Sequence, residues 1–384
     1  MVNRIILNGT SYFGYNSREK LLDEISAGKY KKVFFVTDQA LLKAGVADKV
    51  LDLLKHQQIP FELYADIKPN PNVKNVQEGL ELLRRSNADL IVAVGGGSVI
   101  DTAKCISIIA TNPEFSDVVS LDGTADTKNM GLPLMALPTT AGTASEVTIN
   151  YVITDDARQK KMVCVDPHDI PLVAIIDPEL MSTMPKSLAA ATGMDALTHA
   201  MEGYTTKAAW LMTDMFHLQA MSLIYHNLAD AVNKKDSRAI EGVAYGQYIA
   251  GMGFSNAGLG IVHSMAHSLG AFFDTPHGLA NALLLPHVLN FNAKSCPDRF
   301  RDMAKVLGVE IQDKDDDTVI AELVDKVRSL AIEVGIPQTL KEIGIPHDAL
   351  PKLAHQAIND ICTSGNPREV SEQDILALYE EAYE

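Results

Sequence analysis

Up to about residue 180, short continuous apolar runs alternate with segments in which apolar residues recur every three or four positions. Lys32-Val33-Phe34-Phe35-Val36-Thr37 is one run, and Leu41, Leu42, Val46 and Val50 mark a helix after it. Phe61–Tyr64 reads as a strand and residues 76–83 as a helix. Asp89-Leu90-Ile91-Val92-Ala93-Val94 leads into Gly95-Gly96-Gly97-Ser98 and a helix carrying Ile100, Ala103, Ile106 and Ile109. Residues 132–138 and Val173–Ile176 are further runs. Strands without polar alternation are covered on both faces, so the pattern predicts an α/β unit with a mostly parallel sheet.

Beyond Met184-Pro185 strand signals nearly vanish and helical periods follow one another. Val319, Ile320, Leu323, Val324, Val327, Leu330 and Val334 form an amphipathic stripe, capped by Asp317 or Thr318 and stopped by Gly335 and Pro337. Asp313, Asp315, Asp316 and Asp317 read as a solvated loop between helices. The expected division is an α/β domain over residues 1–183 and an all-α domain over 184–384. A chain of 384 residues exceeds one ordinary core, which agrees with two domains.

Composition narrows the function. A net charge of −16 argues against nucleic acid or an anionic membrane, both of which call for a basic face. The N-terminus is polar again within a few residues, without a signal-peptide core, and no apolar run approaches bilayer length. Four scattered cysteines without a C-x-x-C suggest reduced thiols in a cytoplasmic protein.

Two stretches carry candidate chemistry. Gly95-Gly96-Gly97-Ser98 lies between a buried strand and a helix, where glycines let a phosphate approach and free N–H groups bind it. Asp101 and Thr102 can cap that helix. Thr139, Thr140 and Thr143 follow the next strand and offer a second wall, or merely a cap. Asp38 ends an earlier strand; it can accept both ribose hydroxyls, favouring NAD, or cap a helix starting at Gln39. It precedes the glycine loop, whereas the usual Rossmann acid follows it, and spacing alone does not decide.

The second stretch pairs Asp195 with His199 and His263 with His267, each four residues apart on one helix face, with His277 in a Pro-His-Gly turn able to close a site from a loop. Carboxylate and imidazole without thiolate suit a catalytic divalent cation such as Fe(II) or Zn(II). Four of the five would bind and one would remain for proton transfer or substrate; spacing does not say which. His56, His217, His226, His347 and His355 lie in surface-like contexts and need no function.

With these motifs in view the chain resembles the iron-dependent (group III) alcohol dehydrogenases over essentially its whole length. Gly95–Thr102, Pro138–Thr143, Ala191–His199, Gly246–Gly278 and Thr363–Arg368 carry the resemblance. It implies a dinucleotide-binding first domain, an active site in the cleft between the two domains, metal ligands Asp195, His199, His263 and His277, and His267 as the catalytic histidine near nicotinamide and substrate. Cofactor contacts fall on Asp38, Asn70, Gly96, Gly97, Ser98, Thr139, Thr140, Thr143, Asn150 and Lys161. Phe254 and Cys362 line the substrate pocket. Without the resemblance, Lys161 reads as a surface charge and Cys362 as a buried small residue.

The implied activity is reversible hydride transfer between NAD(H) and a short-chain aldehyde or alcohol, with lactaldehyde and 1,2-propanediol the expected pair. The family points to Fe(II), while Zn(II) generally binds such sites more tightly. A homodimer or larger homo-oligomer is expected, with residues 4–7 as a strand pairing across subunits. A non-redox NAD- and metal-dependent lyase of the dehydroquinate synthase type is the alternative. It calls for a basic cluster for a phosphate-bearing substrate, and none stands near the site motifs.

Overall fold

Residues 2–384 are described by the computed structural model, in which the chain separates into two units, Met1–Met184 and Pro185–Glu384. Among the described residues the first holds nine strands: β1 Thr10–Phe13, β2 Val33–Val36, β3 Phe61–Tyr64, β4 Leu90–Gly95, β5 Gly123–Thr124, β6 Leu134–Pro138, β7 Asn150–Asp155, β8 Lys160–Val165 and β9 Val173–Ile176. Six form one parallel sheet in the order β1-β9-β6-β4-β2-β3. Its apolar runs divide by alternation between two cores. Phe34, Val36, Ile91 and Ala93 enter one; Val33, Phe35, Leu90, Val92 and Val94 enter the other. Burial on both faces is why these strands lack polar positions.

One sequence expectation needs correcting in this unit, and one element was not foreseen. The helix expected through Leu41 and Val50 is two helices, Gln39–Lys43 and Asp48–His56, because the chain turns through Gly45 at φ +70°. β7 and β8 form an antiparallel hairpin, joined by β5, that the apolar runs did not announce. Within the chain the sheet edge is β1, whose Thr10 pairs with Val173, and residues 4–7 precede it.

The second unit is helical, and among the described residues no strand follows Ile176. Its site-bearing helices are Lys186–Thr205, Ile261–Phe273 and His277–Ala293. The helix Asp316–Val334 covers the expected stripe, but its cap is Asp315, which accepts from Thr318 N–H, rather than Asp317 or Thr318. Asp316 and Asp317 occupy its first turn instead of a loop, where the helix dipole favours acids. It stops at Gly335, φ +87°. No helix among the described residues is long and apolar enough to cross a membrane.

Candidate active site

The glycine loop sits at the C-terminal end of β4, in the middle of the sheet. Gly96 is the N-cap of the helix Gly97–Thr111 and leaves its first-turn N–H groups without a side-chain cap. The expected caps do other work. Asp101 accepts from Ser145 Oγ and from Val152 N–H at 3.0 Å, and Thr102 Oγ1 donates to Ser98 O at 2.7 Å. A Cβ on Gly96 would stand 3.1 Å from Thr140 Cγ2, and one on Gly97 2.7 Å from Thr143 Cγ2. The threonine loop therefore packs directly on the glycine turn, as the opposite wall of a phosphate cradle requires.

Strand order resolves the position of Asp38. From β2 the chain steps outward to β3, then returns to the other side of β2 for β4. The switch point of such a sheet, where ligands bind, lies between β2 and β4. Asp38 follows β2 and the glycine loop follows β4, so an acid that precedes the glycines in sequence still flanks the same crevice. Asp38 also caps Gln39–Lys43, accepting through Oδ1 from Leu41 N–H at 2.9 Å.

Lys161 is not a surface charge. It is buried, and Nζ donates to Asn70 Oδ1 at 2.6 Å. Asn150 opens β7, and its carbonyl accepts from Lys104 Nζ at 2.6 Å. Lys104, fully buried, also donates to Thr148 O at 2.6 Å and Ser145 O at 3.2 Å, so one ammonium pins the segment after the threonine loop. A lysine between Ala103 and Cys105 on an apolar helix was the sequence signal for it.

In the second unit Asp195, His199, His263 and His277 bring one ligand atom each to within 4.8 Å of one another. Asp195 and His199 stand one turn apart on Lys186–Thr205, and His263 lies on Ile261–Phe273. His277 is the first residue of its helix rather than a loop residue. A Cβ on Gly278 would lie 2.5 Å from Ala191 O, so glycine is what lets this helix start against the Asp195 helix. Asn281, fully buried, donates through Nδ2 to Asp195 Oδ1 at 2.6 Å, with His277 Nε2 at 3.1 Å and His263 Nε2 at 3.2 Å. One amide nitrogen within 3.2 Å of all three atoms means that they converge on a common point. With its N/O donor set, this fits a divalent cation.

Glu202, which the sequence reading passed over, completes the centre. It extends the Asp195, His199 face by three residues. Its carboxylate accepts from Val262 N–H at 2.7 Å and His263 N–H at 3.3 Å, and lies 2.5 Å from His263 Nδ1. It caps the His263 helix from a neighbouring helix, and Gly260 leaves room: a Cβ there would sit 2.8 Å from Glu202 Oε1. Burial pushes the Glu202 carboxyl up to about 8 against those N–H groups, and burial likewise pushes the His263 imidazole down. Positive charge beside the ring would favour the carboxylate, with Nδ1–H donating to it and Nε2 turned to the centre.

Phe254 stacks on His199 with ring centroids 4.3 Å apart. His267 follows His263 by one turn, its ring 5.4 Å from that of His277, yet it groups with Asp360 and Cys362 rather than with the four convergent residues. Its Nδ1 lies 2.9 Å from Asp360 Oδ2. His217 departs from its surface-like reading: it is fully buried, and neither ring nitrogen has a partner among the described residues.

Residues 8–178 match the family described as iron-containing alcohol dehydrogenase, and residues 189–383 the C-terminal part of the Fe-containing alcohol dehydrogenase family. The chain is 49% identical to lactaldehyde reductase of Escherichia coli K12, with 100% of both chains covered. It is 38% identical to an NAD-dependent methanol dehydrogenase of Bacillus methanolicus, covering 92% of each. The crystal structure of a 1,3-propanediol oxidoreductase superposes with a TM-score of 0.96 at 39% identity, covering 100% of both chains.

Proposed function

The chain belongs to the iron-containing alcohol dehydrogenase family, and from that premise we propose that it uses NAD(H) and Fe(II) to interconvert lactaldehyde and 1,2-propanediol. The observation that carries the metal-dependent part is the convergence of Asp195, His199, His263 and His277. The substrate pair is supported by the 49% identity to a lactaldehyde reductase.

When bound, the cation supplies Lewis-acid polarisation of the carbonyl oxygen and the nicotinamide supplies hydride. The chain's part is to bind, orient and move a proton. Asp195, His199, His263 and His277 hold the cation, with Glu202 fixing His263 and Asn281 fixing Asp195. Gly96, Gly97 and Ser98 offer backbone N–H groups to the pyrophosphate. Thr139, Thr140 and Thr143 close the opposite wall. Asp38 takes the adenosine ribose, and Asn70, Asn150 and Lys161 complete the cofactor site. Phe254 and Cys362 shape the space for a short substrate. His267 holds the proton that the product oxygen takes up, and receives it back in the reverse direction.

The test is NADH oxidation by anaerobically prepared protein, stripped and reconstituted with Fe(II) or Zn(II), across lactaldehyde, glycolaldehyde, propanal and butanal. The expected result is Fe(II)-dependent turnover with lactaldehyde preferred. Preference for butanal would overturn the substrate assignment. Greater activity with Zn(II) would overturn the metal.

A further inference from the structure

We infer that Asp360 is the positioning residue of His267, holding the ring through Nδ1 so that Nε2 is left as the basic nitrogen, and tying that ring to the turn that carries Cys362. The inference rests on the reading of His267 as the proton-holding residue. Asp360 Oδ2 stands 2.9 Å from His267 Nδ1. Asp360 Oδ1 accepts from Cys362 N–H at 2.9 Å and faces Ser264 Oγ at 3.4 Å. Both oxygens are thus engaged, one with the histidine and one with the turn Ile361–Gly365, of which Asp360 is the N-cap. Ser264 belongs to the same helix as His267, and its Oγ lies 2.8 Å from Thr363 Oγ1 in that turn, so a second polar link fastens the two elements.

The charge state selects the tautomer. Burial raises the Asp360 carboxyl, but His267 and the Cys362 N–H outweigh it and the group ends below the usual carboxylate range. An ionised carboxylate only accepts, so Nδ1 carries the hydrogen, and in the neutral ring the lone pair is then on Nε2. This is how a carboxylate orients a catalytic imidazole without touching substrate. His267 itself is 7% exposed, so water does not compete freely for Nδ1.

The experiment compares wild type with Asp360→Asn, His267→Ala and the double variant, all metal-loaded. Metal per chain, NADH affinity by fluorescence, and kcat and KM for a short aldehyde are read together. Asp360→Asn is expected to keep metal and NADH binding and to lower kcat by about tenfold or more with little change in KM. In the His267→Ala background the same change is expected to alter kcat by less than about twofold, since the pair acts as a unit. Nitrogen-15 spectra of histidine-labelled, zinc-loaded protein are expected to place the hydrogen on Nδ1 of His267 in wild type and to lose that signature in Asp360→Asn.

Equal losses of kcat in both backgrounds would overturn the inference, as would an unchanged tautomer signal. So would the loss of a second metal equivalent, because His267, Asp360 and Cys362 could then be a ligand set of their own. If His267→Ala kept full turnover, the proton-holding reading would fall, while the nitrogen spectrum would still decide for or against Asp360.

Discussion

Glu202 works through His263, and its three acceptor contacts show why a longer acid belongs there. It holds the ring and the first N–H groups of the helix at once. Glu202→Ala releases both and is expected to weaken metal affinity by about 10- to 100-fold, the usual cost of losing a partner behind a ligating histidine. Chelator competition measures this without turnover, and an unchanged affinity would remove Glu202 from the centre. His217 makes a different prediction. A Cβ on either Gly203 or Gly253 would come within 2.3 Å of its Nε2, so the ring fills a slot made by two glycines. Burial pushes its imidazole down to about 3 from 6.5. Above pH 6.5 the ring is neutral folded or unfolded and adds no pH dependence. Between 6.5 and about 3 the unfolded chain takes up a proton that the folded chain refuses. Stability is then lost as pH falls, by up to about 1.4 kcal/mol per unit. Denaturant midpoints of wild type and His217→Leu from about pH 4 to 7 should diverge, the variant being flatter; parallel curves would refute the assignment.

At the scale of elements, the helix starts decide whether the ligands meet. Gly278 lies next to His277, and its missing side chain is what allows contact with Ala191 O and, at 3.2 Å, the Asp195 side chain. Backbone cannot yield as a flexible side chain does, so Gly278→Ala is expected to cost about 1–3 kcal/mol and to reduce metal content, because His277 and Asp195 must separate. Full metal content with lowered stability would mean that the helix tilts without disturbing the ligands. The same elements explain what was legible in sequence. β9 falls where its apolar run lay, buried at every position, and β3 falls on its run too although it is the half-exposed edge strand. The hairpin β7–β8 was illegible because Lys160 and Lys161 look like solvent-facing charge, while burial of Lys161 depends on Asn70, 91 residues away in the chain. Glu202 was legible in principle, as the third member of the face begun by Asp195 and His199, but its partner N–H groups belong to another helix. Asp38 needed the strand order, which no local pattern contains.

At the scale of the whole molecule, the two candidate binding functions are divided between the units. The glycine and threonine loops lie within Met1–Met184, whereas Asp195, His199, His263 and His277 all lie within Pro185–Glu384. A ligand stabilises what it binds by an amount set by its concentration over Kd, about 2.7 kcal/mol at a hundredfold excess, which slows exchange through the corresponding opening by about a hundredfold. Hydrogen exchange should therefore separate the two. Adding metal to stripped protein is expected to protect Lys186–Thr205, Ile261–Phe273 and His277–Ala293 while leaving β2 and β4 unchanged. Adding NADH without metal should protect the first turn of Gly97–Thr111 and the Thr139 to Thr143 segment. Equal protection of β2 and β4 by metal would mean that the two units open as one, so that a loss of metal would cost the cofactor-binding unit its stability as well. The expected, separate response means that metal-stripped protein retains a folded first unit, still able to bind NADH, and that reconstitution needs only the second unit's helices to close on the cation.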